Sequence, residues 1–322
     1  MNKLYSMQEI NEGIQLGLFP EKFDYLFCAA NYDKRTYNAF NLLEKSNIIA
    51  DNKIVLDYDK LRPEDNQNGQ SQAFIDYQKY TLLRPTHIQK CSNSDDDVKY
   101  INSLNIAQNT TIGIDITGLT IPDIFRMLYV LKELKGVRTL HVFYTEPQHY
   151  VFDNDTFNQY THLSGEKLYK PIEEYYITGV GPELLIFFLG FDSGVSNYIF
   201  EKAQPQETII INGFPSYVPK LKDISLLNNY SLITSSIDTD HRYFTQANNP
   251  FSAYNVLCDI VNKYHNYLIN ICVLGTKPMA LGAGIFSLDN LQRVKVTYPY
   301  PQKYISNNTV DMTTCWHYII EF

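Results

Sequence analysis

The segment Tyr144-Thr-Glu-Pro-Gln-His-Tyr150 recurs 154 residues later as Tyr298-Pro-Tyr-Pro-Gln-Lys-Tyr304. Each copy follows an apolar run of the kind that forms a buried strand. Upstream of the two copies, Thr120 and Pro122 correspond to Thr276 and Pro278, and Tyr32-Asp33 corresponds to Phe191-Asp192. Matches in the same order on the same kinds of element predict an internal duplication. The alternative is that similar strand–loop–helix sequences arose independently.

The segments around these copies alternate between strands and helices. Apolar runs rich in aromatic and β-branched residues predict strands at 23–30, 53–58, 111–116, 139–144, 183–189, 207–211, 267–273 and 294–298. Helices are predicted between them at 36–44, 122–134, 195–202 and 250–264, and a small-residue helix should end at Leu288. This alternation favours parallel strands joined by crossover helices.

We therefore expect an α/β fold, a tandem duplication of a Rossmann-like parallel-sheet unit. The first unit should cover residues 1–165, and the second should cover 166–322 and contain the Gly-Thr-Lys-Pro loop. The two units would be related by an approximate pseudo-two-fold axis or stacked side by side. The loops at the carboxyl edge of each sheet, here called its rim, would then be equivalent and would surround a shared cleft.

Composition limits the classes of protein that the chain can belong to. Of its 322 residues, 44% are hydrophobic, which is enough for a sizeable core, and the formal net charge is −8. General binding to duplex nucleic acid is not expected, because that needs a basic face. No apolar stretch reaches 18 residues, so no membrane span is expected. Five scattered cysteines and the absence of a signal-peptide pattern favour a reduced, cytoplasmic protein.

Candidate ligand-binding residues follow the predicted strands, because ligands of open parallel sheets bind outside the carboxyl ends of the strands. In the first unit this rule selects loops that contain Asp33 and Thr117, and the segment 145–147. In the second unit it selects Asp192 and Ser193, the segments 212–216 and 299–301, and the loop 274–278.

The loop Gly275-Thr276-Lys277-Pro278 has the chemistry of a phosphate site. Glycine allows close approach of the backbone to a ligand, threonine offers a hydroxyl and lysine offers a positive charge. The helix that follows would add backbone N–H groups. The spacing is not that of a Walker loop, and the chain has no Gly-x-Gly-x-x-Gly fingerprint. The alternative is a solvated loop whose glycines serve packing alone.

This stretch resembles the ligand loop of CARF domains, in which a strand leads through Gly-Thr-Lys-Pro-Met-Ala into a helix of small residues. CARF domains are Rossmann-like sensors of cyclic oligonucleotides in CRISPR defence, and the related SAVED domains fuse two CARF-like units. The resemblance implies a ligand-binding role for residues 275–279 and a weaker one for 117–120. The first unit departs from the motif, because Leu119 and Ile121 stand where the second has Gly275 and Lys277.

Other side chains have competing interpretations. Asp115, in an apolar strand, would be a functional carboxylate or a cap of a neighbouring loop. Carboxylates near the rims offer an acid–base pair or a metal site, but no histidine pair with ligand spacing supports a metal. The tyrosines of the repeated segments would stack on bases or pack at a sheet edge.

The leading hypothesis is a nucleotide-sensing or regulatory module of a prokaryotic anti-phage defence system. Its partners would be a cyclic nucleotide or oligonucleotide second messenger and an effector protein, because no effector domain is recognisable in the sequence. No cofactor and no catalytic residue is assigned. One alternative is a nucleotide-processing enzyme similar to a ring nuclease, and another is a structural or interaction subunit of a defence complex.

Overall fold

The computed structural model describes residues 5–10, 19–30, 33–58, 85–92, 95–104, 106–134, 137–150, 163–179, 181–304 and 309–322. Tyr32 and the side chains of residues 302–304, to which the duplication assigned counterparts, lie outside the described part. One compact unit comprises Met1–Thr120, Met127–Tyr150 and Thr309–Phe322, and the other comprises Ile121–Arg126 and Val151–Asn308.

The strands and helices of the described part are numbered in chain order. The strands are β1 (Tyr5–Ile10), β2 (Lys22–Ala29), β3 (Ile49–Tyr58), β4 (His87–Cys91), β5 (Ile112–Asp115), β6 (Thr139–Tyr150), β7 (Leu163–Pro171), β8 (Glu183–Phe188), β9 (Glu207–Gly213), β10 (Arg242–Thr245), β11 (Leu268–Val273), β12 (Val294–Tyr304) and β13 (Thr309–Glu321). The helices are α1 (Asn38–Lys45), α2 (Asp96–Ser103), α3 (Ile121–Glu133), α4 (Ser193–Ala203), α5 (Leu221–Asn228), α6 (Tyr230–Ser236), α7 (Pro250–Lys263) and α8 (Lys277–Asp289).

The first unit contains a sheet in the order β1-β13-β6-β5-β2-β3-β4. The strands from β6 to β4 are parallel, whereas β13 pairs antiparallel with both β6 and β1. Apolar side chains from β2 and α1 form much of the core, including Phe23, Leu26, Phe40 and Leu43. Burial of such side chains provides the main driving force for folding of the unit.

The second unit contains a sheet in the order β10-β9-β8-β11-β12-β7. Its strands are parallel except β7, which pairs antiparallel with β12. The central strands β8 and β11 are almost entirely apolar and buried, as expected for parallel strands covered on both faces.

The two sheets share one topology. In each, the first parallel strand (β2 or β8) is flanked by the next two on one side (β3 and β4, or β9 and β10). The last two (β5 and β6, or β11 and β12) lie on the other side, and an antiparallel strand follows. The prediction of tandem Rossmann-like units is therefore confirmed, since each sheet is parallel-dominated with crossover helices.

The antiparallel strands do not follow chain order. The sheet of the first unit takes β13 from the C-terminal end of the chain, and β7, which follows β6 in sequence, belongs to the sheet of the second unit. The repeat boundary between residues 165 and 166 stays a prediction about the duplicated sequences. The compact units of the fold are the discontinuous ones given above.

The repeated Tyr-x-x-Pro-Gln-x-Tyr segments are strand, whereas the sequence predicted that residues 145–147 and 299–301 leave the sheet. β6 continues to Tyr150 and β12 to Tyr304, because each has an antiparallel partner that takes up its backbone hydrogen bonds. Both prolines lie next to irregular register: Pro147 pairs with Met312 and Pro301 with Lys167, each beside a β-bulge. A bulge tolerates the missing N–H of proline inside a sheet.

Helices α7 and α8 approach each other closely. A Cβ atom added to Gly282 would overlap the backbone oxygen of Pro250 and would lie 2.9 Å from Cβ of Ala253. The small residues of α8 thus serve contact with a neighbouring helix as well as with the sheet. None of the helices in the described residues is both long and apolar enough to span a membrane.

Candidate functional site

The carboxyl edge of the second sheet contains a topological switch point. The chain leaves β8 towards β9 on one side, and β11 lies on the other side. Crevices at such points are the usual ligand sites of open parallel sheets. The residues that flank this one are Asp192 and Ser193 after β8, and Gly275, Thr276 and Lys277 after β11. Five of the seven predicted site residues therefore lie at two adjacent junctions between a strand and the helix that follows it.

The two loops touch through backbone atoms. A Cβ atom on Gly190 would lie 2.7 Å from the carbonyl oxygen of Leu274, which is backbone and cannot swing away. Only glycine allows this approach. Side chains from α5 and the residue after it hold the first loop: Ser225 Oγ donates to the Gly190 carbonyl at 2.8 Å, and Asn229 Nδ2 donates to the same oxygen at 3.1 Å. These contacts fix the positions of the two loops relative to each other.

Thr276 is the N-cap of α8. Its Oγ1 accepts a hydrogen bond from the N–H of Met279 at 3.4 Å and donates its own hydrogen to the carbonyl of Ala247. Pro278 lies in the first turn, where its missing N–H costs little. Because the Thr276 hydroxyl is engaged on both sides, its contribution to a ligand site is to position the start of the helix and Lys277, a half-exposed residue.

Asp192 is the N-cap of α4. Its Oδ1 accepts from the N–H of Val195 at 3.0 Å, and its carbonyl accepts from Ser196 Oγ at 3.0 Å. Ser193 is the first helical residue and is partly exposed. A capped helix N-terminus presents the positive end of the helix dipole to the crevice. Asp192 therefore has a structural role at the rim, whereas Ser193 faces the same edge without a cap function.

The carbonyl oxygen of Ala247 connects two parts of the rim by accepting two hydrogen bonds. It accepts from Thr276 Oγ1 and from Tyr217 Oη, the latter at 3.0 Å. The loop that contains Ala247 leads into Asn249, whose side chain caps α7 by accepting from the N–H of Phe251 at 3.0 Å. Three capped helices, α4, α7 and α8, thus begin at one edge of this sheet. Such an edge is suited to anions.

Two exposed aromatic rings lie at the end of β9 and in β10. Phe214 is 54% exposed and Phe244 is 46% exposed, and their ring centroids are 6.2 Å apart in an edge-to-face arrangement. The ammonium group of Lys222 lies 5.0 Å from the centroid of the Phe214 ring. Phe214 follows Gly213, which approaches Ala247 and Met279. The aromatic pair therefore belongs to the same rim as Lys277.

The carboxyl edge of the first sheet is built differently. Asp33 binds the guanidinium group of Arg35 through both carboxylate oxygens, with Arg35 Nε at 2.9 Å and Nη2 at 2.5 Å from Oδ2. Arg35 Nη1 donates to the carbonyl of Thr145 at 2.9 Å. Burial lowers the pKa of Arg35, but the neighbouring Asp33 outweighs that effect and raises it. The pair is therefore charged and tied to β6.

Thr117 also belongs to this network. Its Oγ1 accepts from the N–H of Thr145 at 3.0 Å, and its own N–H donates to Asp115 Oδ1 at 2.8 Å. The capping interpretation of Asp115 is thus confirmed. Burial raises the pKa of the nearby Cys28 thiol, and the charge of Asp115 raises it further, so this thiol stays protonated.

The two rims differ in access. Arg35, Asp115, Thr117 and Thr145 are buried in the first unit. The residues of the second rim at 192, 193 and 275–277 are all partly exposed. Asp33 is partly exposed like these residues and is held by its ion pair with Arg35, so the difference in access concerns the loop that contains Thr117. It agrees with the sequence difference, because Leu119 and Ile121 are buried whereas Gly275 and Lys277 are partly exposed.

Some rim features had weak sequence signals or none. Asn249-Pro250 is a recognisable helix start, an N-cap followed by proline, that sequence reasoning did not assign to the rim. Ala247 acts through a backbone carbonyl, which leaves no mark in the sequence. For the tyrosines of the repeated segments, the structure favours packing over stacking on bases. Tyr144 and Tyr298 are buried, and the ring of Tyr298 packs edge-to-face on that of Tyr300, with the centroids 5.5 Å apart.

No protein-family model matches the sequence, and no curated protein matches it. Among solved structures, the fold is similar to that of a type III CRISPR defence DNA nuclease activated by cyclic oligoadenylate, with a TM-score of 0.50 and 8% sequence identity. The match covers 85% of this chain and 65% of the nuclease chain, so this chain spans about two thirds of that protein. At this identity the likeness shows the fold alone.

Two further structures align over most of the chain with TM-scores too low to support an inference. One is a functionally unknown protein from Pseudomonas aeruginosa PAO1, with 10% identity, a TM-score of 0.26, and coverage of 87% of this chain and 93% of that one. The other is an N-terminal ketoreductase from a macrolactin assembly line, with 10% identity, a TM-score of 0.21, and coverage of 91% and 72%.

Proposed function

We propose that this chain is a nucleotide-sensing module of a prokaryotic anti-phage defence system, and that the rim of its second sheet binds a cyclic nucleotide or oligonucleotide. The observation that carries the proposal is the switch point of that sheet, where the Gly190 and Leu274 backbones meet beside Lys277 and the starts of α4 and α8. A phosphate group is the anion that such a crevice suits best.

The charges at the rim support an anionic ligand. Asp192 is engaged as the cap of α4, so its carboxylate already has a backbone N–H partner. Lys277 adds a positive charge at the first position of α8, where the helix dipole also favours a negative ligand. The overall negative charge of the chain does not oppose this, because a local cleft sets its own field.

The exposed rings of Phe214 and Phe244 support a ligand that carries bases. An exposed aromatic face next to a phosphate site favours stacking of a nucleobase, a contact worth about 1–3 kcal/mol per base. Fold likeness to a nuclease activated by cyclic oligoadenylate makes that messenger the first ligand to test.

The proposal includes an output partner and a division of the duplicated sequence. A sensor needs an effector, and we propose that a separate effector protein responds to the bound state. The repeats 1–165 and 166–322 would have diverged after duplication, with ligand recognition kept by the second. Asp33 and Thr117 would then have kept only their hydrogen bonds within the first unit.

Calorimetric titration with cyclic di- and oligoadenylates tests the proposal, with linear oligoadenylate as the ligand control. Lys277→Ala should weaken binding at least about tenfold, because it removes a charge-assisted contact. Lys202→Ala is the matched control, since Lys202 is an exposed lysine at the other end of α4, with its ammonium group 5.8 Å from the centroid of the Tyr198 ring. Equal affinity of both variants, or no binding by the folded wild-type protein, would refute the proposal.

A further inference from the structure

The aromatic pair of Phe214 and Phe244 exposes an unusual amount of ring surface. Phe214 is 54% exposed and Phe244 is 46% exposed, whereas most large apolar side chains of the described residues are buried. The planes of the two rings are inclined by 74°, so each ring keeps at least one face that the other does not cover. Exposed apolar surface bordered by polar side chains is typical of a binding site.

Backbone hydrogen bonds hold the aromatic pair in place. The N–H of Phe214 donates to the carbonyl of Thr245 at 2.7 Å, and Phe244 lies within β10, which pairs in parallel with β9. The next residue after Phe214 is Pro215, whose carbonyl accepts from the N–H of Ala247 at 3.0 Å. The two rings therefore lie on a fixed part of the sheet edge, and a ligand would bind them without first ordering a loop.

Positive charge lies beside the aromatic pair. The ammonium group of Lys222 lies 5.0 Å from the centroid of the Phe214 ring and 3.0 Å from Oδ1 of Asp223. The Asp223 side chain is 60% exposed, so water screens this ion pair and the pair contributes little to stability. A phosphate group brings more negative charge and more acceptor oxygens than one carboxylate, so it can compete with Asp223 for Lys222.

A second lysine precedes Lys222 by two residues. Lys220 is exposed, and its φ of 81° is a left-handed backbone conformation that residues other than glycine rarely adopt. Strained residues of this kind persist where the surrounding structure fixes them, and they cluster at functional sites. The segment from Phe214 to Lys222 thus combines a fixed aromatic surface with two cations and one screened carboxylate.

The place of the aromatic pair in the fold favours a nucleotide over an acidic peptide. Gly213 comes directly before Phe214. A Cβ atom on Gly213 would lie 3.2 Å from that of Ala247 and 3.7 Å from Sδ of Met279, which is in the first turn of α8. The pair therefore lies near the start of α8, which carries Lys277. A base linked to a phosphate matches an aromatic face beside a cation, and its ribose can lead to a second phosphate at the neighbouring site.

We infer that Phe214, Phe244 and Lys222 form a subsite for one nucleotide. The base lies against an open face of the aromatic pair, and the phosphate binds Lys222, with Lys220 adding to the local positive charge. Stacking on an aromatic face tolerates every base, so the subsite selects nucleotides as a class and not one particular base. The place of this subsite within a larger cyclic ligand rests on the proposed function, whereas its binding of a single nucleotide does not.

Ligand-observed NMR titration of the full chain tests the subsite with adenosine 5′-monophosphate (AMP). Adenosine supplies the base without a phosphate, and ribose 5-phosphate supplies the phosphate without a base. We expect saturable binding of AMP that is at least about fivefold tighter than that of either fragment, because only the complete nucleotide contacts both the rings and the lysine.

Variants locate the binding of AMP. Phe214→Leu and Lys222→Met should each weaken it at least about fivefold, by removing the stacking surface and a charge-assisted contact. Tyr230→Leu replaces another exposed aromatic residue and should leave the affinity unchanged. Lys263→Met should also leave it unchanged, although the ammonium group of Lys263 likewise lies near an aromatic ring, 5.4 Å from the centroid of Tyr243.

The variant Lys277→Ala separates the subsite from the proposed function. It should change the affinity for AMP by less than about twofold while weakening the binding of cyclic oligoadenylate, because Lys277 belongs to the neighbouring site. If cyclic oligoadenylate does not bind but AMP binds in a manner that depends on Phe214 and Lys222, the subsite is supported and the proposed function is refuted.

The inference is overturned if AMP does not bind the folded protein, or if it binds no tighter than adenosine or ribose 5-phosphate. It is also overturned if the folded Phe214→Leu and Lys222→Met variants keep the wild-type affinity for AMP. In that case, binding of cyclic oligoadenylate that depends on Lys277 would leave the proposed function intact. Tighter binding of the peptide N-acetyl-Asp-Tyr-Asp-amide than of AMP overturns the inference as well, because it assigns the surface to an acidic partner protein.

Discussion

Single buried polar residues influence the stability of the first unit. In the first unit, His141 and His317 form a buried stacked pair, with Nδ1 of His141 2.9 Å from Nε2 of His317. Gln8 Nε2 lies 2.8 Å from the remaining nitrogen of His317, and the ring of Phe19 stacks on His317 at 4.3 Å. In their neutral form, the two imidazole rings connect β6, β13 and β1 through these hydrogen bonds.

This histidine pair predicts acid sensitivity. Burial lowers the pKa of His141 to about 4, and burial together with His141 lowers that of His317. Unfolded histidine titrates near 6.5, so between about pH 6.5 and 4 the unfolded chain binds protons that the folded chain excludes. The free energy of unfolding should therefore fall as pH drops through this window, by about 2 kcal/mol at pH 5 from His141, with a further loss in the same direction from His317.

Urea unfolding at pH 7.5 and pH 5 measures this loss. His141→Gln should reduce the difference in unfolding free energy between the two pH values. His265→Gln, which changes an exposed histidine, should leave it unchanged. A pH-independent unfolding midpoint in the wild-type protein would contradict the neutral, buried assignment.

At the scale of elements, close backbone contacts fix where helices and loops lie. A Cβ atom added to Gly282 in α8 would overlap the Pro250 carbonyl oxygen, whereas the nearest atom to a Cβ added to Gly194 in α4 is Asp192 Oδ1 at 3.3 Å. The two glycines lie in helices but have different surroundings, which makes them a matched pair.

Gly282→Ala should destabilise the second unit by about 3 kcal/mol, because α7 and α8 must separate to admit the methyl group. Gly194→Ala should change stability by less than about 1 kcal/mol, since the higher helix propensity of alanine is offset by the small shift required of Asp192 Oδ1. Thermal unfolding of both variants measures the difference. A Gly282→Ala protein as stable as wild type would show that the helices are not in contact at this point.

Local signals explain which elements the sequence predicts well. β2, β8 and β11 are short apolar runs, and α7 and α8 start with an N-cap and a proline, so their residues alone indicate them. β6 beyond Tyr144 could not be predicted, because its extension depends on pairing with β13 at the far end of the chain. The same is true of the candidate site. The helix start at Thr276 could be predicted from the sequence, whereas the hydrogen bonds accepted by the Ala247 carbonyl could not.

At the scale of the whole molecule, the duplicated topology comes with an exchange of the antiparallel strands β7 and β13 between the two sheets. β13 lies between β6 and β1 in the first sheet although its residues belong to the second repeat in sequence. Tyr318 on β13 is fully buried, whereas Met312 on the same strand is 37% exposed. Stability of the first unit should therefore depend on the last strand of the chain.

Tyr318→Ala should cost about 3–5 kcal/mol, the usual range for removing a buried aromatic ring. Hydrogen exchange should show lost protection in β1, β6 and β13 of the variant. Met312→Ala should leave protection in these strands near the wild-type level. Loss of protection in β12 and β7 in place of the first sheet would contradict the strand assignment.

Ligand recognition by the second rim can be tested by differential hydrogen exchange with and without cyclic oligoadenylate. We expect slower exchange at residues 190–195, 213–217 and 274–279, and little change at 33–37 and 117–120. The same protection in both rims, protection of the first rim alone, or no change at a saturating ligand concentration would contradict recognition by the second rim.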